Sequence, residues 1–135
     1  MRVVTFKLVL AKSSFGCNFL SKKTMDNISW TDFEKVEMRV GTILSAQLFD
    51  KAKKPAYQLE IDFGSLGILK SSAQITSLYQ PETLIGRQII AVVNFPPKQI
   101  ANFFSECLVL GVYNENNEVV LLQTTQPVAN GCKVG

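Results

Sequence analysis

Tyr57, Leu59, Ile61 and Phe63 alternate without a break with Gln58, Glu60 and Asp62, the period-two pattern of a strand with one face in a core and the other in water. Met38 to Phe49 is rich in Val, Ile, Leu and Thr, and Gly41 inside it predicts a strand with a bulge or tight coil at the glycine. Ile68 to Ala73 predicts a third strand. Gln88 to Val93 is a continuous apolar run, expected of a strand covered on both faces. Leu108–Val112 and Val119–Leu122 predict a hairpin about Asn114–Asn117. Between these runs, Thr31-Asp32-Phe33-Glu34 reads as a capping box and predicts a short helix over residues 32–36. Lys51 to Pro55 is a basic loop. Pro81 and Gly86 suit the start and the far end of a helical turn within residues 75–84. Pro96-Pro97 forbids pairing, and Gln99 to Phe104 reads as one helical turn. Five or more short strands, with a brief helix between the third and fourth, predict a small closed all-β barrel.

Composition supports one soluble domain: 135 residues with 47% hydrophobic content suffice for a core. No apolar run approaches the roughly 18 residues of a membrane-spanning helix, so no membrane insertion is expected. Cys17, Cys107 and Cys132 are odd in number and lack CxxC spacing, which argues against a disulfide framework and a zinc ribbon and favours a reducing cytoplasm. Cys107, beside Leu108-Val109-Leu110, reads as a small buried hydrophobe. The chain has no histidine. Ser-His-Asp triads, Cys-His dyads and histidine metal sites are therefore excluded, and binding leads over catalysis.

Charge divides along the chain. Arg2, Lys7, Lys12, Lys22 and Lys23 stand in the first 25 residues without an acid, whereas residues 26–135 hold nine Lys or Arg against eleven Asp or Glu. Residues 1–24 are basic, Ser-containing and without clear period. They read as a targeting peptide, as an upstream extension preceding a start at Met25, or as a genuine tail. The expectation is that they are no part of the domain, which then covers residues 25–135.

Three later phrases carry the candidate chemistry: Lys70-Ser71-Ser72-Ala73-Gln74-Ile75-Thr76, Pro81-Glu82-Thr83-Leu84-Ile85-Gly86-Arg87 and Asn94-Phe95-Pro96-Pro97-Lys98-Gln99-Ile100. Small polar groups and single cations in an apolar frame suit a surface that holds a polymer. Lys53, Lys54, Lys70, Arg87 and Lys98 can meet phosphates, and Ser71, Ser72, Gln74 and Asn94 can hydrogen-bond ribose or base edges. The competing readings are a solvated surface and ordinary turn formers. Phe33, Phe95, Pro97, Ile100 and Phe104 suggest more apolar surface than so small a barrel buries, hence a dimer or peptide contact.

With Asp32-Phe33-Glu34-Lys35-Val36, Arg39-Val40-Gly41-Thr42-Ile43 and Lys54-Pro55-Ala56-Tyr57, these phrases resemble the CsaA family. CsaA is a secretion-associated chaperone family built on the tRNA-binding domain that is also appended to methionyl-tRNA synthetases and found in the endothelial monocyte-activating polypeptide. The resemblance covers Ile28 to Gly135. It implies a five-stranded Greek-key OB-fold barrel with flanking dimerisation segments, a homodimer, binding of tRNA, and binding of peptides or unfolded secretory proteins. It implies no cofactor, no metal and no catalysis. Two departures stand out: Ala101-Asn102 replaces the glycine with which relatives follow the Lys-Gln-Ile phrase, and Ser71-Ser72-Ala73-Gln74 replaces the shorter Ser-Gly phrase of tRNA-binding relatives.

Overall fold

In the computed structural model, residues 25–135 are described. The expectation for residues 1–24 falls outside them. Helix α1 (Trp30–Glu34) begins one residue after Ser29, whose Oγ accepts from Asp32 N at 3.0 Å while Asp32 Oδ2 accepts from Ser29 N at 3.2 Å. The capping box thus sits two residues upstream of the predicted one. Ser29 and Asp32 supply the same reciprocal pair as Thr31 and Glu34 would, and Glu34 instead accepts from Trp30 Nε1 at 2.6 Å.

Five strands form the main sheet in the order β3 (Ile68–Ala73), β2 (Tyr57–Asp62), β1 (Met38–Leu48), β4 (Gln88–Val92) and β7 (Leu108–Val109). Strand β1 is long enough to serve two neighbours. Its first half pairs with β4, from Met38↔Val92 to Thr42↔Gln88, and its second with β2, ending at Leu48↔Tyr57. The outer edges then meet: Glu106 N donates to Lys70 O at 2.7 Å and Ser71 Oγ to Cys107 O at 3.0 Å. The result is the nearly closed five-stranded barrel expected of an OB fold, with helix α2 (Pro81–Leu84) between the third and fourth strands.

The alternation in β2 is realised as read, with Leu59, Ile61 and the following Phe63 fully buried beside Ile43, Leu84 and Ile89. Gly41 has a different use from the one expected. The bulge lies between Ile43 and Ser45, whereas a Cβ at Gly41 would come within 2.7 Å of Ile61 and of the Phe63 ring. The glycine lets two large core side chains rest on bare backbone.

Lys98–Ile100 (β5) and Phe103–Ser105 (β6) form an antiparallel hairpin, in register Lys98↔Ser105 and Ile100↔Phe103, rather than a helical turn. Ala101 turns it at φ 55°, a left-handed conformation usually left to glycine. The absence of glycine concealed the turn. Pro96 and Pro97 remain unpaired, as expected. Gly111–Tyr113 (β8) and Val119–Leu121 (β9) make the predicted hairpin. The chain end then returns along the first half of β1, where Gly131 N donates to Val40 O, Val40 N to Cys132 O and Val134 N to Met38 O. It covers an edge that β2 leaves free.

Candidate nucleic-acid interface

The loop between β1 and β2 is closed by Phe49 N donating to Ala56 O at 2.9 Å. Buried Phe49 packs on Phe103, ring centroids 5.4 Å apart, which seats that loop against the β5–β6 hairpin. Lys51, Lys53 and Lys54 therefore project from one rim of the barrel beside the hairpin, exposed to solvent. Gln74, also exposed, leaves β3 just past the Ala73↔Tyr57 pair that ends the same loop. Lys98 lies opposite Ser105, whose Oγ accepts from Ser72 N at 3.1 Å, so it borders the seam between β3 and the hairpin. Lys70 stands on the same strand, exposed and opposite Glu60. None of these lysines joins the ion pairs of the described residues, which are Lys35–Asp32, Arg39–Glu37 and Lys133–Glu37. All five are exposed to solvent.

The other predicted polar contacts are placed elsewhere. Ser71 and Ser72 are buried, at 1% and 8% exposure, and close the barrel: the Ser71 hydroxyl donates to Cys107 O and the Ser72 amide to Ser105 Oγ. Asn94 is a clamp on the end of α1, its Nδ2 donating to Lys35 O at 2.7 Å and its Oδ1 accepting from Glu37 N at 3.1 Å. Arg87 stands before β4, its guanidinium 5.3 Å from the Tyr79 ring centroid and bonded to Gln123 Oε1 and Thr83 O. It lines an open cleft of about 530 Å³ of mixed polarity with Gln88, Thr125 and Pro127. The rim thus gathers Lys53, Lys54 and Gln74, with Lys98 and Lys70 along the adjoining seam.

The apolar candidates form a second feature. Phe95 and Pro97 line a cleft of about 560 Å³ whose other wall includes Cys107 and Leu108. Phe95 is 49% and Phe104 53% exposed, while Ile100 and Phe33 are half-buried. Phe33 packs on Trp30 at 5.3 Å, and Trp30 itself is 66% exposed. Trp30 and the Phe49–Phe103 contact went unnoticed in the sequence. The only tryptophan, next to a helix cap, was a usable signal for the first; nothing local marks the second.

Cys107 is held as a thiol. Burial, helped by Glu106 and opposed by the hydrogen bond with Ser71, pushes its pKa up to about 12. No cluster of His, Cys, Asp and Glu among the described residues could hold a metal. No helix there is long and apolar enough to cross a membrane.

A family model described as "Putative tRNA binding domain" matches residues 38–133, from the first residue of β1 into the returning chain end. The chain belongs to this tRNA-binding domain family. Its CsaA-type branch is visible in the solved structures. The domain superposes on chaperone CsaA from Bacillus anthracis str. Ames with a TM-score of 0.78 and 52% identity, over 82% of this chain and 100% of that one. A MetRS related protein from Pyrococcus horikoshii gives 0.74 and 28%, again over 82% and 100%. The methionine–tRNA ligase of Bacteroides fragilis is 31% identical over 123 residues, 91% of this chain and 18% of the ligase. The tRNA-binding domain spans under a fifth of the curated ligases it matches.

Proposed function

We propose that this domain is a non-catalytic RNA-binding module that holds tRNA through its lysine-bearing rim and works in the cytoplasm as a homodimer. The observation that carries the reading is the Phe49–Phe103 contact, which sets Lys51, Lys53 and Lys54 beside the hairpin in a member of a tRNA-binding family. OB barrels engage nucleic acid with these two connections, meeting phosphates by Lys and Arg. The dimer reading draws on apolar exposure: Trp30, Phe95 and Phe104 are 66%, 49% and 53% exposed, and Phe95 shares a cleft with Pro97, which offers apolar surface to a second copy. Burying about four such groups per subunit stabilises a pair by roughly 6–12 kcal/mol before the cost of association.

A titration with bulk tRNA across salt concentrations tests the reading. Neutralising about three to five phosphates gives a log–log slope of roughly −2.7 to −4.5. Salt-independent binding, or none at low salt, removes it. Sedimentation at micromolar concentration tests the dimer, and a monomer there returns Phe104 to an ordinary surface side chain.

The cleft of about 560 Å³ beside Phe95 and Pro97 favours a second reading, an export-related chaperone that accepts extended apolar segments of unfolded proteins. Its structural neighbours from Bacillus anthracis and Picrophilus torridus are CsaA chaperones, which supports it. Binding of a denatured protein that survives high salt, with tRNA binding absent, would put this reading first.

A further inference from the structure

OB barrels that take single strands lay them across the outer face of their central strands, where aromatic rings stack the bases and cations meet the phosphates. Here that face is built differently. Gln58, Glu60 and Asp62 alternate with the buried residues of β2 and point outward, and register sets Glu60 between Ser45 of β1 and Lys70 of β3. Asp62 stands beside Ile68, and Gln58 is already engaged by Gln47 Nε2 at 3.1 Å. No aromatic residue occupies an outward position of β2 or β3, since Tyr57 and Phe63 are both turned into the core. Two carboxylates against one lysine leave the face net negative.

Resting on the RNA-binding reading above, we propose that Glu60, supported by Asp62, is a specificity-determining residue that bars single-stranded RNA from the central face and confines binding to the rim. A strand threaded over β2 would carry its phosphates past Glu60 and Asp62, where like charges repel and Lys70 offsets only one of the two carboxylates. It would also find no ring on which to stack a base, losing the contribution that makes single-strand binding tolerant of sequence. A folded RNA that touches the rim with its backbone encounters neither obstacle. The carboxylates therefore act by excluding one class of RNA rather than by attracting the other.

The test compares oligo(U) of about twelve nucleotides with folded tRNA on the full chain, as unaltered protein and as Glu60→Gln and Glu60→Lys. Glu60→Lys is expected to raise oligo(U) affinity about tenfold at 50 mM salt and to steepen its salt slope by about 0.7, the increment of one added phosphate contact on a single strand. Glu60→Gln should raise it about threefold, and tRNA affinity should change less than twofold in both. Should Glu60→Lys clash with Lys70 and unfold, Glu60→Gln alone carries the test, since its side chain is exposed and uncharged. Unaltered protein that binds oligo(U) as tightly as tRNA, or variants whose oligo(U) affinity does not move while tRNA still binds, overturns the inference. Loss of tRNA binding by the unaltered protein overturns the function reading, and this inference with it.

Discussion

The seam that closes the barrel and the rim beside it are written in nearly the same residues. Lys70-Ser71-Ser72-Ala73-Gln74 and Lys51-Ala52-Lys53-Lys54-Pro55 are both short runs of small and basic side chains. In the seam the Ser71 hydroxyl donates to Cys107 O, and the backbone amides of Ser72 and Lys70 donate to Ser105 Oγ and Glu106 Oε1, while the Lys70 ammonium and Gln74 stay exposed. In the rim the lysines find no partner among the described ion pairs. A buried hydroxyl must be hydrogen-bonded or pay for desolvation, so the seam spends its polarity on the fold. An exposed ammonium costs little to leave in water, so the rim lysines need no internal partner.

The sharpest way to separate the two regions is to strip the rim. Lys51→Gln, Lys53→Gln and Lys54→Gln together should lower tRNA affinity on the order of 10²-fold near 0.1 M salt and flatten the slope by about 2.7. The thermal midpoint should stay within the equivalent of about 0.5 kcal/mol. A large loss of stability in that triple variant would show that the rim, too, holds the fold.

The reciprocal change is Ser71→Val. It leaves the Cys107 carbonyl with only the 3.4 Å contact from Ser105 Oγ, and should cost about 1–2 kcal/mol in urea unfolding. The affinity for tRNA should not move. A clear loss of affinity in the folded variant would place Ser71 in the RNA contact after all.

Cys107 gives the seam a signature in alkali. Its folded pKa is raised to about 12, so between the unfolded value near 9 and that limit the unfolded chain loses a proton that the folded chain keeps. Stability contributed by this group is present below about pH 9 and falls as pH rises, by at most about 1.4 kcal/mol per unit. Urea midpoints from pH 8 to 10.5 should fall more steeply in the unaltered protein than in Cys107→Ala.

The smallest expected effect belongs to the rim. With no histidine in the chain, tRNA affinity should change less than about twofold between pH 6 and 8. A steep transition in that window would reveal a titrating group among the RNA contacts.

Much of the barrel was legible because its signals are local. The alternation of Tyr57 to Phe63, the apolar run of β4 and the Asn114–Asn117 turn each follow from side chains close in sequence. The β5–β6 hairpin was not, because its turn rests on Ala101 at φ 55° and no glycine announces it. The cap of α1 was misplaced by two residues because Ser29 with Asp32 and Thr31 with Glu34 satisfy the same rule.

The candidate site divides along the same line. That Lys53, Lys54 and Gln74 would reach water, and that chemistry near neutral pH lacked its usual side chain, followed from residue type alone. Whether Ser71, Asn94 and Arg87 would face a ligand or the protein depended on atoms far along the chain: Cys107, Lys35 and Gln123. Composition and short-range pattern determined a small β barrel with free cations, because burial preference and strand periodicity act residue by residue. Closure of the barrel decided which polar groups remained free, because a hydrogen bond is assigned only when both partners have been brought within about 3 Å by the fold.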